Sequence, residues 1–502
     1  MDRLIGEPEV VAVDAGRIVA AGDRALLEAF PAATRHDLAG RTLVPGFIDA
    51  HNHLSIAALH PLWADLSRVQ SVEELQAALR AQAAREPDAG WIRGFGWNET
   101  TAGVVLDRSH LDALNLDRSV IVVHYTLHQC VVCSRGLDEL GIGRTSDDPP
   151  GGVIARRPDG EPSGLLIERA WSDAHARSVA AYRDPERWAG LFAARARQLL
   201  QAGITCVHDA ACSPAAEAVY RAMARAGTLP ISVLMMPHAE GILSPLDAIR
   251  LDGPPTGAGN ERLRVGPIKL FADGGVAPAL DVSIAGHRSA FGMQFPNLAA
   301  EVEQVVDRGF RVAVHAIGNV GVAAALDAFA RASRRRRNRD HRFRIEHASV
   351  VSRRQIADLT ALGAIGVVQP GFLLHVGQAV ENVPFDEELW LAFGDLARAG
   401  VVLAASSDDP CAIHEPVQTA ALGATRRTGS GNVFALDQAL RYEEWLRAYT
   451  AGAAYAGGQE SERGSLTPGK RADLVVLDGP LDAEHPPQVV ETWVEGERVY
   501  GG

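Results

Sequence analysis

Cysteine is scarce, at five in 502 residues. So few thiols in so long a chain do not form a disulfide framework, which excludes the small stapled folds of secreted domains. Excess positive charge is absent too: 49 Lys and Arg face 62 Asp and Glu, for a net charge of −13. Nucleic acids and anionic membranes need a basic surface, so both are excluded as general partners. No apolar run approaches the ~18 residues of a membrane span. The start, Met1-Asp2-Arg3-Leu4-Ile5-Gly6-Glu7, lacks the apolar stretch of a signal peptide. A cytoplasmic protein is expected. What the chain does have is apolar material for a core, 47% of its residues.

Length predicts two or three domains, or one large barrel with an appendage. Residues 10–22 read as a hairpin turning at Asp14-Ala15-Gly16. A similar signature recurs at the far end, in the strand Ala472–Asp478 and the hairpin Thr492–Tyr500 with its Glu-Gly turn. Neither end can bury a core alone. Residues 1–44 and 459–502 are therefore expected to share one small β-sandwich around the body of the chain. From 45 to 458, short apolar strands alternate with alanine-rich helices: Ser71–Glu86, Pro185–Ala202, Pro214–Gly227, Leu298–Gly309 and Val320–Arg331. That alternation predicts an α/β fold, a TIM-like (β/α)₈ barrel. Residues 92–165 fit it poorly and read as an insertion roofing the barrel. No internal repeat is present.

The organising stretch is Val44-Pro45-Gly46-Phe47-Ile48-Asp49-Ala50-His51-Asn52-His53. As a strand it places His51 and His53 on one face, about 7 Å apart, close enough to reach one metal ion. Asp49 shares that face and is expected to hydrogen-bond a ligand histidine. Further candidates close, or follow, other apolar strands: Lys269, His315, His347 and Asp408. Four neutral imidazoles and a carboxylate suit Zn²⁺, with Mn²⁺ and Fe²⁺ as alternatives. Lys269 sits in an apolar strand, where a bare ammonium is costly. Either it pairs with Asp273, or CO₂ adds to it as a carbamate that bridges two metals. Asp408-Asp409 leaves the register open, and Asp409 is the alternative ligand; either could instead be a turn residue before Pro410.

Two signals carry little. Cys130-Val131-Val132-Cys133 has no second pair for a zinc ribbon, and its β-like surroundings argue against a redox motif. The run Arg334 to Arg337 reads as a solvated helix end.

The chain resembles the metal-dependent amidohydrolase superfamily, in the branch that includes N-substituted formamide deformylases. The matching pieces are Pro45 to His53, Gly203-Ile204-Thr205, Lys269 with Asp273-Gly274-Gly275, His315-Ala316-Ile317-Gly318, Glu346-His347, Ser407-Asp408-x-Pro410, and Gly464 to Asp473. They cover almost the whole chain. The resemblance implies metal ligands His51 and His53 on strand 1, Lys269 on strand 4, His315 on strand 5, His347 on strand 6 and Asp408 on strand 8. It implies one or two divalent ions, Zn²⁺ first, and a carbamate on Lys269. It makes Asp408 the proton shuttle and His128 a catalytic group facing substrate. Trp97, Asp273 and Asn319 join His128 as candidate substrate contacts, although Trp97 also reads as core. Asn98 and Asn319 stand where the family usually has aspartate, which leaves the substrate pocket open. The expected activity is hydrolysis of a non-peptide C–N bond of amide or formamide type. The alternatives are a deaminase of the same superfamily, disfavoured by the missing glutamate after His315-Ala316, and a non-catalytic scaffold. The expected partner is a small-molecule substrate, with a homodimer as a further option.

Overall fold

The computed structural model describes residues 8–335 and 340–501. The N-terminal residues read for a signal peptide, and Arg336 and Arg337 of the arginine run, lie outside them. Eight parallel strands carry the body: β1 Phe47–Asn52, β2 Ile204–Cys212, β3 Ser232–Pro237, β4 Ile268–Phe271, β5 Val312–Ala316, β6 Arg344–His347, β7 Ile365–Val368 and β8 Leu403–Ala405. They form two arcs. One runs Leu263–Val265, β3, β2, β1; the other runs β4, β5, β6, β7, β8. The expected barrel is not closed by one hydrogen-bonded ladder among the described residues, because the ladder breaks at both seams. At the first, Leu263–Val265 occupies the free edge of β3. Gly266 N–H then takes the Met235 carbonyl at 2.6 Å, and Pro267 has no N–H to offer. At the second, β8 is only three residues long, and the loop after it makes the contacts instead. Asp408 N–H donates to the His51 carbonyl (2.8 Å) and His53 N–H to the Asp409 carbonyl (2.9 Å).

The helices bury one stripe each against these arcs. Helix Pro185–Gln201 shows why: Asp184 accepts the Glu186 and Arg187 N–H groups at its start, and proline stands at its first position. Its buried residues Trp188, Phe192, Ala196, Leu199 and Leu200 recur at helical spacing. Each large apolar side chain so buried contributes roughly 1.5–3 kcal/mol. No helix of the described residues is long and apolar enough to cross a membrane.

Two further layers complete the molecule. A six-stranded mixed sheet has Ala64–Asp65 at one edge and Gly152–Arg156 at the other, with Pro162–Glu168 beside the latter. It takes in residues 92–165 and also helix Val72–Arg85, which packs on this sheet rather than on the arcs. Near the termini, Thr42–Pro45 pairs antiparallel with Leu474–Leu477, followed by Val489–Val494 and Glu497–Tyr500. The hairpin Val10–Asp14/Arg17–Gly22 adjoins them through an Arg17–Arg471 bridge.

Gly203 stands where helix, arc and terminal sheet converge. Its φ is +81°, and a Cβ there would lie 2.9 Å from the Phe47 ring and 3.0 Å from a Val475 methyl. Gly203→Ala is expected to lower unfolding free energy by roughly 2 kcal/mol or more, from backbone strain plus overpacking. The midpoint of urea unfolding checks this; an unchanged midpoint contradicts it.

Candidate metal centre

The C-terminal ends of the parallel strands bring the predicted residues together. His51 lies within β1, and His53 directly follows it. Asp408 follows β8 and is turned inward by a left-handed backbone, φ +61°. Its Oδ1 lies 3.3 Å from His51 Nε2 and 3.2 Å from His53 Nε2. These three buried residues can offer ligand atoms to one ion. Asp409 points elsewhere, to Arg195 at 2.6 Å. The His347 ring sits 4.9 Å from that of His51, and the His315 ring 4.5 Å from that of His347. Lys269 Nζ lies 3.4 Å from His51 Nε2.

The outer nitrogens fix which atoms face inward. His51 Nδ1 bonds Glu346 Oε2 (2.6 Å), His53 Nδ1 bonds the Ala210 carbonyl (2.8 Å), and His347 Nδ1 bonds Gln369 Oε1 (2.9 Å). Each partner is an acceptor, since Gln369 Nε2 is itself donating to Ser406 Oγ. Each Nδ1 therefore carries the proton, and each Nε2 keeps its lone pair. Lone pairs of His51 and His53 then face the Asp408 carboxylate with no proton between them. Such a donor set is repulsive by itself and is satisfied by a divalent cation.

Electrostatics agree. Burial pushes His51 down to about 4 and His347 down to about 3, and it holds His315 well below the usual histidine range. These imidazoles are neutral at pH 7. Burial also pushes Lys269 down to about 8. Glu346 runs the other way. Burial would raise it, but Arg344 and the His51 bond outweigh burial and hold it well below the carboxylate range.

Two expectations need correction. Asp49 does not touch a histidine ring; its carboxylate accepts from the Ser407 N–H and hydroxyl, Asn52 Nδ2 and the His51 N–H. It ties β1 to the Asp408 loop, and Glu346 holds the ring in its place. Nor does Lys269 pair with Asp273. That carboxylate accepts three backbone N–H groups, from Ala279, Ile317 and Gly318, at 2.7–3.1 Å. Burial nevertheless pushes Asp273 up to about 8.

The remaining candidates divide. His128 joins the ring cluster, 5.1 Å from His315. Trp97 is buried in the core of the mixed sheet. Asn319 is bonded to the Asp281 backbone through both amide atoms. Cys130 and Cys133 are buried, and burial pushes both thiols above the usual thiol range. A cavity of about 370 Å³ opens beside His128, walled by Tyr125, Gln129, Ile167 and Gly275 to Ala277.

Sequence reasoning missed Glu346 as the partner of His51, and also Gln369 and Glu168. It also passed over a compositional signal: Lys269 is one of only two lysines in the chain, with Lys470. Both are buried, at 1% and 7% exposure. Backbone strain marks the same place. His347, Asp408 and Glu168 all have positive φ without being glycine, each at a cost of about 1–3 kcal/mol.

Residues 36–500 match the sequence profile of the amidohydrolase family. The chain is 31% identical to an N-substituted formamide deformylase of Arthrobacter pascens, over 98% of this chain and 95% of that one. Among solved structures, it is similar to a metal-dependent hydrolase from Pyrococcus horikoshii. That match has a TM-score of 0.73 and 25% identity, over 95% of each chain. A second, from Pyrococcus furiosus, gives a TM-score of 0.72 at 24% identity, over 94% and 95% of the two chains.

The depressed histidines set a pH dependence for the metal-free protein. In the unfolded chain they bind protons near 6.5; folded, His51 does so only near 4 and His347 near 3. The unfolded state thus binds more protons between these values, and stability falls as pH falls. Between pH 7 and 4 the loss should be on the order of 3 kcal/mol for His51. Chelator-treated protein unfolded in urea at a series of pH values checks this; a flat profile contradicts it.

Proposed function

The chain belongs to the amidohydrolase family, and from that premise we propose that it hydrolyses a non-peptide C–N bond, that of an N-substituted formamide. The observation that carries this reading is the convergence of His51, His53 and Asp408, flanked by Lys269, His315 and His347, at one end of the parallel strands. On this reading the two arcs are halves of one (β/α)₈ barrel, with a terminal β-sandwich attached. His51, His53 and Asp408 would hold a divalent ion, Zn²⁺ first. Lys269 as a carbamate, with His315 and His347, would complete a site for a second. An ion there supplies Lewis acidity and an acidified water at neutral pH.

The chain's own residues do the rest. Asp408 takes a proton from the attacking water as the C–O bond forms. It delivers that proton to the amine nitrogen as the C–N bond breaks, so that formate and amine leave. His128 faces the substrate, and the 370 Å³ cavity receives the N-substituent. A deaminase is disfavoured on steric grounds as well as by sequence. A Cβ at Gly318 would collide with the Ala279 carbonyl, so no glutamate fits there. A scaffold protein is disfavoured because every candidate ligand is present.

Three measurements test this reading. In a screen of N-substituted formamides, N-acyl amines and cyclic amides with Zn²⁺, Mn²⁺ or Fe²⁺, formamides should release formate fastest. Turnover confined to another class contradicts the assignment. Asp408→Asn should retain metal yet lose about 10²–10⁴ in kcat, whereas Asp409→Asn should lose far less; the reverse order moves the shuttle to Asp409. Lys269→Ala should lose one metal, and reconstitution of the parent enzyme should respond to bicarbonate. A single ion and no bicarbonate response would leave Lys269 unmodified.

A further inference from the structure

The mouth of the centre holds a pair that the expected ligand set did not include. His128 lies between strands Ser119–His124 and Gln129–Val132, and Glu168 ends strand Pro162–Glu168. Both come from the mixed sheet, yet they meet over the loop that follows β4. His128 Nδ1 lies 2.6 Å from Glu168 Oε2. The other oxygen, Oε1, accepts the Val276 N–H at 3.0 Å and the Ala277 N–H at 3.2 Å. Glu168 is fully buried, at 0% exposure, and is held in place by a backbone at φ 53°, ψ −130°.

The loop shows how tightly the pair is enclosed. A Cβ at Gly275 would strike the His128 ring, and one at Gly274 would come within 2.5 Å of Glu168 Oε1. Asp273-Gly274-Gly275 thus passes over this pair without a Cβ at either close contact.

A carboxylate only accepts hydrogen bonds, so the proton of the 2.6 Å contact belongs to Nδ1. The Gly275 N–H also points at Nδ1, from 3.0 Å. The competing tautomer would accept that N–H, but it would set a lone pair of Nδ1 against the carboxylate. With Nδ1 committed, Nε2 is the free end of the ring, and it has no hydrogen-bond partner among the described residues.

We propose that Glu168 is a positioning residue: it fixes the orientation and Nδ1 proton of His128, so that the Nε2 lone pair is presented to the substrate as a hydrogen-bond acceptor. The inference rests on the formamide hydrolase reading for its kinetics, but not for its spectroscopy.

Glu168→Gln separates positioning from scaffolding. The amide oxygen can still accept the Val276 and Ala277 N–H groups, so the loop keeps its anchor. Its NH₂ then faces Nδ1 and forces that atom to accept. In the metal-loaded enzyme, Glu168→Gln and His128→Asn should each lower kcat, on the order of 10²-fold, with KM and metal content little changed. The double variant should be no slower than His128→Asn, because the two residues act as one unit. Losses that multiply, or a Glu168→Gln enzyme with parental kcat, would overturn the proposal. Independently of turnover, protein labelled with ¹⁵N-histidine should show one downfield Nδ1–H resonance that both variants abolish. Its absence from the parent enzyme would overturn the tautomer and the proposal with it. If the parent hydrolyses no formamide but shows the resonance, the substrate reading falls and the pairing stands.

Discussion

The centre rests on a buried charge compensation that runs from Arg344 through Glu346 to His51. Both charged groups are almost fully withdrawn from water, Arg344 at 1% and Glu346 at 0% exposure. Such withdrawal costs several kcal/mol per ion unless the geometry is good. Here it is bidentate, with Arg344 Nε donating to Oε1 at 2.8 Å and Nη2 to Oε2 at 3.0 Å. Because Arg344 keeps Glu346 anionic, Glu346 can only accept. Because Glu346 accepts, His51 must hold its proton outside and its lone pair inside. The chain of consequence also crosses the fold. Arg344 belongs to β6 in one arc, and its Nη2 donates to the Ala50 carbonyl of β1 in the other, at 2.6 Å. The arcs share no closed ladder at their seams, so this guanidinium is one of the groups that fix one relative to the other.

The mixed sheet performs the same service from above. It presents His128 and Glu168 to the β4 loop, where the backbone N–H groups of Val276 and Ala277 receive the Glu168 carboxylate. The cavity of about 370 Å³ lies between the same two layers. Backbone strain is present at these junctions. His347, Asp408 and Glu168 adopt left-handed or rarer backbone because each must aim a polar side chain across a boundary between elements.

Much of this was legible in the residues, for physical reasons that can be named. The two-residue period of a strand put His51 and His53 on one face, and helix periodicity located Pro185–Gln201 and Pro214–Ala226 within a residue or so. The register of Asp408 against Asp409 was not legible, because the segment leaves β8 before it and period-two logic lapses in a left-handed turn. Asp49 misled by sharing a face with His51. A shared face places the Cβ atoms, but it does not reveal that Ser407 offers two better donors. Glu346 was hidden in plain sight next to His347, since adjacent strand residues point oppositely and only the fold shows β1 waiting on the other side. The breaks in the ladder could not be read either, because strand alternation does not register what Pro267 and a three-residue β8 do to it.

The distribution of lysine has a practical side. Of 49 basic residues only Lys269 and Lys470 carry an ε-amine, and both are buried. The protein's outer cations are guanidiniums, which acylating reagents and most bifunctional crosslinkers leave alone. Attachment to a surface or a dye through lysine has no outward ε-amine to use, and coupling chemistry has to go through carboxylates instead. The same scarcity makes the interior amine addressable. In a chain so nearly free of lysine, slow acylation of Lys269 in the metal-free, uncarbamylated protein would serve as a clock for the opening of the centre, read against little more than the α-amine.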